Sequence, residues 1–172
     1  MHDSRTSIEV EARLEFETLL VDLSSRFINL PSEEVDRGIE DAMRRICTSL
    51  GIDFAVLWQW SATAPGVLTP THYHYAEEGL QPPEPMHQGM FPWYIQQMLD
   101  GRTVGIASLE ELPAEAAVDR ESGRLLGIQS NLTLPLTVGD EPPLGALGFN
   151  TLKAPRTWPE ELVNRMRLVA QI

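Results

Sequence analysis

The sequence predicts one α+β domain, in which helices pack on a central antiparallel sheet of about five to six strands. The chain has 172 residues, a length typical of a single domain, and 42% of them are hydrophobic, which is enough for a buried core. Strand patterns occur in pairs joined by short turns, which favours antiparallel pairing. Helical patterns precede, separate and follow these pairs, as in α+β domains.

Three long helical patterns frame the chain. Ile8–Leu30 carries a stripe of large apolar side chains at spacings of three and four, and we expect residues 1–12 to be either disordered or a helical extension. Ser32 is the expected N-cap of a second helix that ends before Gly51. The pattern Thr157–Glu160 resembles a capping box that opens a last helix. Because that helix meets no breaker before Ile172, we expect it to continue into an output domain.

Two predicted hairpins supply most of the sheet. Phe54–Trp60 and Leu68–Tyr75 form the first, with a turn between them. Residues 131–138 and 144–151 form the second, around the turn 139–143. Gly145 and Gly148 interrupt its last strand, which indicates a close backbone approach or a bulge.

The middle of the chain is less regular. Residues 77–89 contain three prolines and two glycines, which predicts a loop. Pro92 suits the first turn of a short helix that ends at Gly101. Residues 103–107 form a short strand, and residues 110–127 are predicted to be mostly helical.

Composition restricts the partners and the compartment. The net charge of −12 argues against direct binding of nucleic acid or insertion at an anionic membrane, since both need a basic surface. The chain has no signal-peptide pattern and no apolar run near the ~20 residues that span a bilayer. Its one cysteine, Cys47, cannot form an internal disulfide and is predicted to be a small buried side chain on the second helix. A cytoplasmic location fits these features.

Five segments give the chain a resemblance to GAF domains: residues 51–59, 91–93, 117–122, 127–136 and 144–149. The resemblance covers the chain from about Arg13 onward, and it is closest to sensory GAF modules of bacterial sensor histidine kinases and related regulators. It implies that the N- and C-terminal helices pack on one face of the sheet. A ligand pocket would then lie on the other face, under the shorter helices and loops.

The resemblance also implies a function. It predicts a non-catalytic sensory module that binds an unknown small molecule and signals through a homodimer of its terminal helices. The output would be a kinase or transcriptional domain further along the same protein. The chain lacks the Asn-Lys-Phe-Asp-Glu run of GAF domains that bind cyclic nucleotides, and its only cysteine, Cys47, is predicted to lie behind the sheet. Cyclic GMP and a covalently attached bilin are therefore not expected, and haem is disfavoured.

Seven side chains are candidates for ligand contact. Aromatic residues could line an apolar pocket, Asn131 and Thr133 could supply hydrogen bonds, and the histidines share one face of their strand. The full set is Trp58, His72, His74, Phe91, Trp93, Asn131 and Thr133. We assign no catalytic residue and no metal ligand, because a closed metal site needs three or four ligands.

Two alternatives remain open from the sequence. His72 or His74 could serve a haem- or metal-binding redox sensor or a GAF-fold enzyme. The domain could also bind nothing and only dimerise, in which case Trp58 and Trp93 would fill the pocket. Asp119, Arg120 and Glu121 are predicted to form a solvated charged face of their helix.

Overall fold

A computed structural model describes residues 2–172, with side chains from residue 5 onward. Met1, part of the predicted N-terminal extension, lies outside the described residues. The described residues form five α-helices and five strands in the order α1 (His2–Ile28), α2 (Val35–Leu50), β1 (Phe54–Trp60), β2 (Leu68–Tyr75), α3 (Pro92–Leu99), β3 (Val104–Ile106), α4 (Ala117–Leu125), β4 (Ser130–Leu136), β5 (Gly145–Thr151) and α5 (Glu160–Val169).

The five strands of the described chain form one sheet in the order β2-β1-β5-β4-β3, and all neighbours are antiparallel. This arrangement confirms the predicted α+β class and the two hairpins. Gly145 is required where β5 meets β1, because a Cβ at this position would collide with the carbonyl oxygen of Trp58. The glycine that interrupts the strand pattern therefore marks a close backbone approach, as the sequence predicts.

The two faces of the sheet carry different layers. Helices α1, α2 and α5 cover one face, where Phe16, Ile46, Phe149 and Met166 are each at most 1% exposed. Helices α3 and α4 cover the other face, where Ile95 and Met98 pack with β1 side chains. Successive side chains of β1 point to opposite faces of the sheet. Ala55 therefore packs in the core under α1, α2 and α5, and Val56 packs in the core under α3 and α4. The terminal helices thus share one face of the sheet, as predicted.

Helix boundaries differ from the predictions where the predicted caps do not form. Ser32 does not cap α2; residues 32–34 form a 3₁₀ turn, and the Ser32 hydroxyl contacts Glu33 instead. The Thr157–Glu160 pattern makes no side-chain cap either, and α5 begins after Pro159. Pro113, which has no N–H group, separates two 3₁₀ turns, so α4 is shorter than predicted and begins at Ala117. Strand β4 ends at Leu136, two residues earlier than predicted.

None of the helices in the described chain combines the length and apolar character that crossing a bilayer requires.

Candidate functional site

A cavity of about 310 Å³ lies between the sheet and the layer of α3 and α4. Strands β1, β4 and β5 form its floor, helices α3 and α4 form one wall, and the proline-rich loop of residues 77–91 crosses its mouth. Ligand sites typically occupy ~300–1,000 Å³, so the cavity has the size of a small-molecule site. Its position matches the pocket that the resemblance implied.

Three hydrogen-bonded side chains form a polar patch in the floor. Thr133 Oγ1 donates to Asn131 Oδ1 at 2.8 Å, and Asn131 Nδ2 donates to Asn150 Oδ1 at 2.8 Å. Each of the three is at most 7% exposed. All three side chains line the cavity or its floor, and the amide of Asn150 still has hydrogen-bonding capacity beyond the bond that its Oδ1 accepts. A ligand with a polar group could therefore bind at this patch.

Aromatic rings form much of the remaining surface. Phe54 and Tyr75 are stacked, with ring centroids 4.2 Å apart, and both line the cavity. Phe91 and Tyr94 meet edge to face on the opposite side, with centroids 6.2 Å apart. Trp58 adds its indole beside Gly148, whose missing Cβ leaves room for the indole nitrogen. Such surfaces bind planar ligands by stacking.

Asp119 fixes the wall of the cavity by capping α3 from a distance. Its Oδ1 accepts from the backbone N–H of Tyr94 at 2.9 Å, and its Oδ2 accepts from that of Trp93 at 3.1 Å. These donors belong to the first turn of α3, where N–H groups have no partner within the helix. Asp119 is completely buried, and burial raises its pKa, although the two backbone hydrogen bonds act in the opposite direction.

The proline-rich loop is held at Met86 and by the residue before its first end, and it is sparsely held between these points. Met86 exchanges two backbone hydrogen bonds with Leu68, of 2.8 and 2.9 Å. At the other end, Ala76 donates to the carbonyl of Asp53. Between these points, a solvent-exposed ion pair joins Glu77 to Lys153 at 3.4 Å. Residues 81–86 line the cavity, so this loop forms part of its boundary.

The structure brings four of the seven predicted site residues to the cavity. Trp58, Phe91, Asn131 and Thr133 line it. Trp93 does not; its ring packs edge to face on Tyr94 at 5.4 Å, outside the lining. Ligand contact by any of them remains a prediction. The ligand-free alternative expected Trp58 and Trp93 to fill the pocket, whereas the space is open.

His72 and His74 lie on the opposite face of the sheet, and placing them in the pocket was wrong. They pair with Leu57 and Ala55 of β1, so their side chains face α2 rather than the cavity. His72 Nε2 lies 3.2 Å from Asp36 Oδ1 of α2. Burial, followed by the charge of Arg44 on α2, lowers the pKa of His74. Among the described residues, no three His, Cys, Asp or Glu side chains group as a metal ion would need.

Several polar residues at or next to the site were not predicted from the sequence. Asn150 is opposite Asn131 in the β4–β5 register, so the predicted hairpin already implied that these two side chains are neighbours. Asp119 was predicted on a solvated helix face but is buried. Arg120 also points inward, where it donates to the carbonyls of Leu109, Leu112 and Pro113. Tyr94 faces the cavity, and burial raises the pKa of its hydroxyl.

Cys47 lies in the core on the helix side of the sheet, as predicted. Burial, with a smaller effect from the charge of Asp53, raises the pKa of its thiol to about 12. The only cysteine of the chain is therefore a neutral thiol separated from the cavity by the sheet.

A family model for the GAF domain matches residues 34–172. The chain belongs to the GAF family. Among proteins with curated functions, none shows significant sequence similarity to it.

Solved structures share this GAF fold at low sequence identity. A GAF domain region from Geobacter sulfurreducens PCA is 17% identical, with a TM-score of 0.62 and coverage of 91% of this chain and 93% of that one. The phycocyanobilin-bound GAF domain of a cyanobacterial phytochrome is 15% identical, with a TM-score of 0.71 and coverage of 90% and 89%. The PixJ GAF domain of Thermosynechococcus elongatus in its blue-light absorbing form is 18% identical, with a TM-score of 0.61 and coverage of 76% and 77%.

Proposed function

We propose that this GAF domain is a non-catalytic sensory module of a bacterial signalling protein, and that it binds a small organic molecule in the cavity. The observation that carries the proposal is the cavity itself, which is apolar and aromatic with one buried polar patch at Asn131, Thr133 and Asn150. This composition is typical of small-molecule sites. A structurally similar GAF domain is bound to phycocyanobilin, which supports a ligand-binding role.

Attachment of a bilin through a thioether is not part of the proposal. Cys47 lies behind the sheet, and its thiol stays protonated at neutral pH. The histidine-based alternatives gain no support either, because His72 and His74 face α2. A reversible ligand fits the site best.

The route from the cavity to the terminal helices begins at β5. Asn150 is in the cavity floor, and the chain after it is held by Asp53, whose Oδ2 accepts from Leu152 N at 2.7 Å and Lys153 N at 3.2 Å. Arg156 then donates to the carbonyl of Leu50 at the end of α2. A shift of the floor would thus move the segment that enters α5.

Two further contacts tie this segment to the sheet. The guanidinium of Arg156 lies 5.3 Å from the ring centroid of Trp158, a cation–π contact. The indole nitrogen of Trp158 donates to the carbonyl of Ile106 on β3 at 3.1 Å. In this proposal, residues 152–159 before α5 have two alternative packings, and the ligand binds one of them more tightly. Binding therefore shifts the population towards that packing and moves α5.

Ion pairs link α5 to α1, and α1 offers a surface for a second copy. Glu161 of α5 pairs with Arg13 of α1 at 2.8 Å. On the side of α1 that faces away from the core, Leu14, Val21 and Ile28 are 57%, 68% and 82% exposed and recur every seventh residue. Helices in coiled coils pair through two apolar positions in each seven-residue repeat, and this row supplies one of them. We therefore propose a homodimer whose seam is this face of α1.

The output domain stays part of the proposal. A histidine kinase or a transcriptional domain elsewhere in the same protein would receive the signal from α5, in keeping with the resemblance. The cytoplasmic location inferred from the sequence remains a prediction.

Ligand binding can be tested with a bacterial metabolite extract and mass spectrometry of the compounds retained by the purified domain. Ile128→Trp is a suitable blocked variant, because Ile128 lines the cavity and is partly buried. We expect at least one compound to be retained by the wild type and lost in this variant. Equal retention by both proteins, or none by either, would contradict a sensory role for the cavity.

Dimerisation can be tested by analytical ultracentrifugation of the wild type, of the variant Val21→Glu and of the matched control Val138→Glu. Both valines are exposed, at 68% and 65%, but Val138 lies in the β4–β5 turn. Charges in the seam of a coiled coil are strongly unfavourable, so we expect only Val21→Glu to shift the wild-type dimer towards monomer. A monomeric wild type, or equal effects of both changes, would refute the seam.

A further inference from the structure

We infer that the ligand is a small planar aromatic molecule that carries an amine and no carboxylate or phosphate; this rests on the cavity being the ligand site proposed above. The volume of about 310 Å³ lies at the lower end of the ~300–1,000 Å³ range of ligand sites, which suits a small molecule with one or two fused rings.

The charges that line the cavity favour a cation over an anion. Glu84 and Asp119 are the charged lining residues, and no Lys, Arg or His contributes to the lining formed by the described chain. An anion that is buried without a cationic partner loses several kcal/mol of hydration free energy, and no ion pair compensates for this loss. A carboxylate or phosphate near Glu84 would also meet the negative charge of that exposed side chain.

The N-terminus of α3, which could otherwise hold an anion, is already occupied. Pro92 has no N–H, and Asp119 takes the N–H groups of Trp93 and Tyr94. The next group, the N–H of Ile95, donates to the carbonyl of Phe91 at 3.0 Å. A helix N-terminus binds phosphate through free backbone N–H groups. The first turn of α3 has no free N–H group left for a ligand.

The aromatic walls provide the complementary surface. The stacked pair Phe54–Tyr75 and the pair Phe91–Tyr94 both border the space, with Trp58 at the floor. Aromatic faces attract cations as well as flat rings, because each ring has a negative face. The polar patch of Asn131, Thr133 and Asn150 can in addition hydrogen-bond a polar atom of the ring system.

Glu84 is positioned to receive the amine at the mouth. It lies between Pro83 and Pro85, which restrict the backbone on both sides, and it is exposed. Among the described residues Glu84 has no hydrogen-bond or ion-pair partner. A ligand amine near the entrance would supply one.

Three indoles that share one ring system test the inference: tryptamine, which is cationic at neutral pH, indole, which is neutral, and indole-3-acetate, which is anionic. Calorimetric titration should rank tryptamine first, with indole-3-acetate about ten-fold weaker or more, the equivalent of ~1.4 kcal/mol. Glu84→Gln should weaken tryptamine about two- to five-fold and leave indole unchanged, as loss of an exposed pair does. Glu78→Gln, an exposed change in the same loop, is the control and should alter neither.

Different results of these titrations would contradict the ligand class, the binding site or the role of Glu84. Indole-3-acetate binding as tightly as tryptamine, or none of the three binding, overturns the ligand class; the proposed function is then judged separately by retention of extract compounds. Indole binding that persists undiminished in Ile128→Trp overturns the class assignment and places binding outside the cavity. A loss of affinity in Glu78→Gln equal to that in Glu84→Gln overturns the role of Glu84.

Discussion

Replacing Asp119 by alanine tests how the wall of the cavity is held. The substitution leaves the N–H groups of Trp93 and Tyr94 without acceptors in a buried environment. Each unpaired buried donor costs about 1–3 kcal/mol. Alanine also removes a buried carboxylate whose raised pKa reflects a desolvation penalty, so the net loss is at the lower end. We expect Asp119→Ala to lower the free energy of unfolding by about 2–4 kcal/mol.

The assay is urea unfolding followed by far-UV circular dichroism, with thermal unfolding as a second measurement. For a domain of this size, the expected loss is a fall in Tm of roughly 5–15 °C. Asp119→Asn keeps one oxygen acceptor and should lose about half as much. Glu121→Ala is the control on the same helix, because its side chain is 64% exposed and only pairs with Arg124. The control should change stability by less than about 0.5 kcal/mol.

The pH dependence provides an independent check on Asp119. Its pKa in the folded protein is raised above the ordinary value of 3.8, so the folded state holds this proton more tightly than the unfolded state does. The resulting stabilisation is complete below pH 3.8 and is lost as the pH rises through the folded pKa. The stability difference between wild type and Asp119→Ala should therefore grow as the pH falls from neutral. An Asp119→Asn variant at least as stable as the wild type at neutral pH would refute the capping argument.

Two other substitutions probe the sheet. Gly145→Ala should cost about 3 kcal/mol or more, since its Cβ would collide with the backbone of Trp58. The control Gly105→Ala would place its Cβ at ordinary contact distances, 3.4 Å from Leu132 Cδ1 and 3.9 Å from Trp158 Cβ. Equal losses of stability in urea unfolding would contradict this argument. The pKa of His74 is lowered in the folded state, so the unfolded state binds the proton more readily and stability falls as the pH drops below about 6.5. When the pH is lowered from about 7.5 to about 5.5, the free energy of unfolding should fall less for His74→Gln than for the wild type. Equal falls in the two proteins would show that His74 does not cause this pH dependence.

Periodicity was sufficient to predict the layers of the fold. The apolar stripe of α1 and the alternation along β1 each define a buried face, and both faces are occupied as predicted. Hairpin patterns likewise predict antiparallel neighbours. These features depend on side chains that are close in sequence, which is why they can be read from the chain alone.

The faces of the edge strand could not be predicted in this way. Strand β2 alternates histidines with tyrosines, and neither set is clearly the apolar one. A register shift between Leu57 and Trp58 also changes the pairing along this edge. Only the packing shows that Tyr75 stacks on Phe54 in the cavity while His72 meets Asp36 of α2.

The site depended on contacts between distant segments. Asp119 caps a helix that begins 27 residues before it, and no local pattern distinguishes it from an exposed helical aspartate. The cavity forms because α3, α4 and the proline-rich loop leave space above the sheet, which is a property of tertiary packing. Asn150 is the exception, since its pairing with Asn131 follows from the hairpin register.

Hydrogen exchange of the whole chain, with and without tryptamine, measures whether occupation of the cavity reaches α5. We expect slower exchange at the cavity, in residues 81–95, and a second change beyond β5, in residues 152–169, which lead into and form α5. Both changes should disappear in Ile128→Trp. Protection confined to residues 81–95, with α5 unaffected, would contradict the claim that this cavity signals through the terminal helices.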